Sequence, residues 1–227
     1  MSPSLHALFD RYALVALDRQ LRLEELVGEL DWTFNLQSGL LSFGDRFCWR
    51  AEVLGTESDA TQTWLWAWAN QASNIPSELL EAVSAVRGWG FVHKIPELLE
   101  PKLPLGEING HCLAMIGSGI WRANAYYRAP YDAGAAFLLI KDSNFPRNDD
   151  SPSARLATVF PQAISAISIN NHRSALQGYL EAHMLKGQEE GDRLVVLENG
   201  QPLMSATFDE HDRLVRLEAT LKRQAMP

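Results

Sequence analysis

The stretch Thr63-Trp64-Leu65-Trp66-Ala67-Trp68-Ala69-Asn70 constrains this chain more than any other part of it. Three indoles alternate with small or aliphatic residues, and side chains alternate across a β-strand. As a strand, it places Trp64, Trp66 and Trp68 on one face and Leu65, Ala67 and Ala69 on the other. Each large ring buries ~150–250 Å². A face of this kind is covered by helices or lines a partly open aromatic cleft, and apolar sheet faces are normally covered. The expectation is a buried core strand.

The flanking patterns supply the covering layers. Residues 4–30 carry Leu5, Leu8, Phe9, Tyr12, Val15, Leu23 and Leu26 at helical spacing. From Trp32 the period changes to two. Trp32/Phe34/Leu36, Leu41/Phe43 and Phe47/Trp49/Ala51/Val53 read as strands, and Gly55 to Ala60 reads as the loop before the tryptophan strand. The result is a four-stranded antiparallel meander in which Phe47, Trp49 and Val53 lie opposite the indoles. Asn74 then caps a helix striped by Leu79, Leu80, Val83 and Val86 and closed by Gly88 and Gly90. A second helix covers Ile108 to Ser118. Trp121 to Arg128 and Ala135 to Lys141 form a hairpin around Pro130 to Gly134.

Residues 142–153 are rich in turn formers and read as a linker. Beyond them, Pro152 and Pro161 each fit the first turn of a helix. Asn170 caps a further helix bearing Leu176, Tyr179, Leu180 and Met184. Leu194 to Glu198 and Leu203 to Phe208 flank Asn199-Gly200, a hairpin signal. Leu214 to Leu221 closes the chain as a strand. The fold class is therefore α+β: an antiparallel meander sheet packed by helices, with a C-terminal helix plus three-stranded antiparallel meander. Two domains are expected, residues 1–150 and residues 151–227.

The chain of 227 residues has a formal net charge of −8 and a pI near 5.2. Nucleic acid and anionic membranes attract basic surfaces, so neither is expected as a partner. The acidity points instead to a protein partner with a basic surface, and self-association into a homo-oligomer is compatible with it. No run reaches the ~18 apolar residues of a membrane span. Asp10, Arg11, Asp18 and Arg19 interrupt the N-terminal apolar stretch, which argues against a secretory signal. Cys48 and Cys112 are isolated thiols. A cytoplasmic protein is expected.

Chemical signatures are sparse. Gly117-Ser118-Gly119 lacks the third glycine of a phosphate loop, and no G-K-[ST] occurs. His172 and His183 are about three helical turns apart, a spacing unlike that of zinc ligands. H-E-x-x-H and C-x-x-C are absent, so no metal and no cofactor is expected. Cys112 with His172, or Cys48 with His111, could be written as nucleophile and base, but nothing local activates either thiol. No catalytic residue is assigned, and the reading leans against an enzyme. The candidate binding residues are Trp64, Trp66, Trp68 and Trp49 on the aromatic face. Asn171, His172 and Arg173 join them as the most polar cluster entering a helix.

The segment Trp64-Leu65-Trp66-Ala67-Trp68-Ala69-Asn70 resembles a W-x-W-A-W-x-N strand found in an uncharacterised bacterial family of unknown function. His111 through Trp121 to Tyr127, Phe160-Pro161 to Asn171-His172-Arg173, and Phe208-Asp209 to Arg213-Leu214 are similar in kind. The resemblance implies a helix followed by a meander and carries over no catalytic residue. The element order is also similar to that of type III secretion chaperones, a likeness of fold alone. Together these readings describe a non-enzymatic protein- or ligand-binding module, chaperone-like or inhibitor-like. The competing reading is an enzyme or small-molecule binder with an aromatic cleft beside Trp64, Trp66 and Trp68.

Overall fold

Ser2 accepts a hydrogen bond from the Leu5 amide, and Pro3 pre-sets the first helical φ. Helix α1 (Pro3–Val27) starts there and stops at Gly28, whose φ of 47° ends the helical run. The computed structural model describes residues 1–147 and 150–219. These form two compact units. The first holds Met1–Phe9 and Arg19–Arg147; the second holds Asp10–Asp18 and the described residues from 150 onward.

The first unit is built on a seven-stranded antiparallel sheet. Its strands are β1 (Trp32–Asn35), β2 (Leu40–Phe43), β3 (Phe47–Ser58), β4 (Thr63–Trp66), β5 (Lys102–Pro104), β6 (Ala125–Tyr131) and β7 (Gly134–Ile140). β1 to β5 follow one another in space, while β7 pairs with β3 and carries β6. β3 is longer than the sequence suggests. Gly55 continues it instead of opening a loop, and the register against β7 shifts between Val53 and Gly55.

That bulge changes which residues share a face. Gly55 pairs with Trp66 and Phe137, Glu57 pairs with Trp64 and Ala135, and Glu52 pairs with Leu139. One extra residue in β3 brings Glu52 and Glu57 to the same side despite their opposite parity. Helices α2 (Glu81–His93) and α3 (Gly110–Trp121) cover that side. The two buried carboxylates cap them: Glu52 accepts from the Ala82 amide at 2.7 Å, and Glu57 from the Gly110 amide at 2.5 Å. Each carboxylate thus meets the positive end of a helix.

Several expected boundaries move for physical reasons. The tryptophan strand ends at Trp66, and Ala67–Ala69 turn into a 3-10 helix. Its ladder partner β5 is only three residues long and is bracketed by Pro101 and Pro104, so pairing stops. Gly88 and Gly90 do not end α2. A Cβ on Gly90 would lie 2.6 Å from that of Leu98, so this glycine serves a close approach. Asn74 is left-handed and follows a short 3-10 turn; Leu80 stands at the α2 N-cap. Trp121 ends α3 rather than starting a strand, and Asp132-Ala133 form the β6–β7 turn.

The second unit contains α4 (Pro152–Ala166), α5 (His172–Ala182) and a four-stranded meander. The meander runs through β8 (Lys186–Glu190), β9 (Arg193–Glu198), β10 (Gln201–Phe208) and β11 (Leu214–Ala219). Asn199 and Gly200, with φ of 53° and 78°, make the anticipated tight turn. β8 adds a strand to the three expected; its Lys-Gly-Gln-Glu-Glu sequence is exposed throughout and shows no alternation. The tail of the expected last strand, residues 220–221, lies outside the described residues. Leu180 of α5 and Leu194 of β9 converge on Gly187, where a Cβ would lie about 3 Å from either side chain. Pro161 sits inside α4, on its exposed side with Ala157, where water can serve the carbonyl that loses its partner.

Candidate functional site

The aromatic residues form two clusters, not one face. Trp64 and Trp66 are 0% exposed and pack edge-to-face at 5.3 Å, with Phe137 at 5.4 Å from Trp64. The Trp64 ring lies directly over Gly55, where a Cβ would stand 2.3 Å away. Trp49 is buried on the opposite face with Phe43, Phe47 and Phe145. The register shift in β3 separates them. Trp68 is half-buried on the 3-10 turn, with the Arg87 guanidinium 4.0 Å over its ring.

Asn171, His172 and Arg173 do adjoin one another, and the structure gives each internal partners. The Asn171 side chain accepts from the Ser174 amide at 2.7 Å and caps α5, the role expected of Asn170. His172 is buried; its Nε2 lies 3.2 Å from the Ile169 carbonyl and its Nδ1 accepts from the Leu214 amide at 2.9 Å. Burial holds its imidazole below the ordinary value. Arg173 bonds Asp212 and Glu189 and covers the Phe208 ring. The trio ties α5 to the β8–β9 and β10–β11 turns.

A polar cluster surrounds the start of α3. His111 Nδ1 lies 3.0 Å from the Tyr126 hydroxyl, and Arg128 is 4.0 Å from Glu57. Burial lowers the His111 pKa and pushes the neighbouring Cys112 thiol up to about 12. Burial holds this thiol protonated, and a protonated thiol is a poor nucleophile. Among the described residues, no three His, Cys, Asp or Glu side chains gather as a metal site.

An open apolar groove lies at the far end of the tryptophan strand, lined by Phe91, Val92, Lys94, Pro96, Leu99 and Pro101, with Glu100 beside them. Its volume is about 810 Å³. Phe91 is 77% exposed and Val92 71%. Val83, Val86 and Gly90 take the buried stripe of α2, which leaves Phe91 and Val92 out of phase and facing water. Lys94 then adopts a left-handed conformation (φ 54°) and its amide closes on the Gly90 carbonyl. Pro96 opens a 3-10 turn that forms the second wall.

The tryptophan strand holds that wall in place. The Trp66 indole donates to the Glu97 carbonyl at 3.1 Å, and the Trp66 amide donates to the Pro101 carbonyl at 3.1 Å. The Glu97 carboxylate accepts from the amide and hydroxyl of Ser2, at 2.6 and 2.8 Å. The groove is thus braced from two sides before any ligand arrives. Sequence reasoning singled out Trp66, one of the braces, and missed Ser2, Glu97 and the lining. The available signal was Phe91-Val92, an apolar pair off the helical stripe.

The fold and groove define an α+β protein with a braced apolar surface groove. A family of unknown function, DUF6882, matches residues 6–143, and the chain belongs to that family. The matched span includes the tryptophan strand and the whole groove. Searches of curated proteins and of solved structures returned no match. No helix among the described residues is long and apolar enough to cross a membrane.

Proposed function

We propose that this protein is a non-enzymatic, cytoplasmic protein-binding module whose groove receives an apolar segment of a partner with a basic surface. The exposure of Phe91 and Val92 on a braced helix end carries the reading. Adjacent large apolar side chains standing in water beside an apolar groove are a feature of interaction sites. The groove volume falls in the ~300–1,000 Å³ range of small-ligand pockets, but such pockets enclose their ligand and converge several polar groups on it. Here one wall stands in solvent, and Lys94 and Glu100 are the charged side chains of the lining. The net charge of −8 favours a basic partner.

The test uses short fluorescent peptides made of Leu and Lys, titrated against the parent and against F91S/V92S. Both positions are exposed, so melting should stay within about 0.5 kcal/mol of the parent. The reading expects binding to the parent and at least about tenfold weaker binding to the variant. Equal affinity for both proteins would contradict it.

A further inference from the structure

We infer that the groove takes a basic amphipathic helix of the partner protein, not an added β-strand; this rests on the binding reading above. The strand nearest the groove, β5, is the edge of its sheet. The Pro101 carbonyl accepts from the Trp66 amide and the Leu105 amide donates to the Gln62 carbonyl, so the odd-numbered positions face β4. Lys102 and Pro104 therefore point their backbone groups outward. Pro104 has no N–H, which leaves the Lys102 amide as the outward donor of the strand. An added antiparallel strand needs donors and acceptors at every second residue, and this edge does not supply them.

A helix satisfies its own backbone and asks a groove only for apolar contact at positions i, i+3 or i+4, and i+7. Phe91, Val92, Pro96, Leu99 and Pro101 offer that contact. The charge of the helix follows from the rim. Lys94 and Glu100 offset one another, and the C-terminal end of α2, carrying partial negative charge, reaches the groove at Lys94. With the net charge of −8, that favours lysine or arginine beside the apolar face of the helix.

The experiment compares three peptides against the whole chain. One carries Leu and Lys at helical spacing, the second has the same composition in strict alternation, and the third replaces Lys by Glu in the helical pattern. Each is titrated by fluorescence anisotropy, with circular dichroism of the bound peptide. The helical Leu/Lys peptide should bind at least tenfold tighter than either of the others, gain helicity on binding, and lose its advantage on F91S. Tighter binding of the alternating peptide would overturn the helix while leaving the groove reading intact. Equal binding of the Leu/Glu helix would overturn the basic partner. No binding by any peptide would remove the groove reading and this inference with it.

Discussion

At the scale of the residue, Gly55 and Trp66 matter most. A side chain at Gly55 would meet the Trp64 ring at 2.3 Å and the Leu65 carbonyl at 2.7 Å, and the carbonyl cannot rotate aside. G55A should therefore destabilise the protein by about 1–3 kcal/mol, the usual penalty for overpacking, in urea unfolding; an unchanged midpoint would show that the strand relaxes freely. W66A removes a fully buried ring and should cost about 3–5 kcal/mol. W66F keeps most of the ring but leaves the Glu97 carbonyl without its donor, so a loss of about 1–3 kcal/mol is expected. Burial of Trp64 and Trp66 was legible from alternation and size. Their neighbours were not, because a glycine between strand-like segments reads equally as a turn or as a bulge. Choosing the turn moved Trp49 onto the wrong face.

At the scale of the element, capping and phase decide the outcome. Asn171 starts α5, and N171A should cost about 1 kcal/mol of stability. The neighbouring His172 gives a pH signature. Both ring nitrogens are engaged, and Nδ1 must stay unprotonated to accept from the Leu214 amide. Its folded pKa is lowered, so the unfolded chain binds the extra proton first. The contribution is therefore present above the ordinary histidine value of ~6.5 and is lost as pH falls through the lower folded value. Stability measured by urea between pH 7 and pH 5 should fall less in H172Q than in the parent; parallel curves would show that another group sets the slope. The helical stripes and the Asn199-Gly200 turn were legible from periodicity and turn chemistry. The polar edge strand β8 was not, since its five exposed residues bury nothing and carry no pattern.

At the scale of the whole molecule, the second unit draws on two distant parts of the sequence. Asp10 accepts from the Asn170 and Asn171 amides, and Asp18 from Arg155 and the Tyr179 hydroxyl. All of these partners belong to the second unit with Asp10–Asp18. A fragment of residues 151–227 lacks both carboxylates and the charge-assisted hydrogen bonds they accept. It should show no cooperative melting by circular dichroism, and a sharp transition in that fragment would show that its helices and meander suffice. No periodicity could reveal this sharing, because helical spacing in α1 names a face without naming what covers it. The groove escaped the sequence for a related reason: exposed apolar residues and buried ones are the same letters. The central claim is that Phe91, Val92, Pro96, Leu99 and Pro101 form the surface that meets a partner. Amide chemical-shift mapping of the isotope-labelled chain with the helical Leu/Lys peptide tests it most directly. The account predicts saturable shifts concentrated from Trp89 to Lys102, with the buried strand around Trp64 little changed. Shifts concentrated around His111 and Tyr126, or around Asn171 to Arg173, with the groove silent, would contradict it.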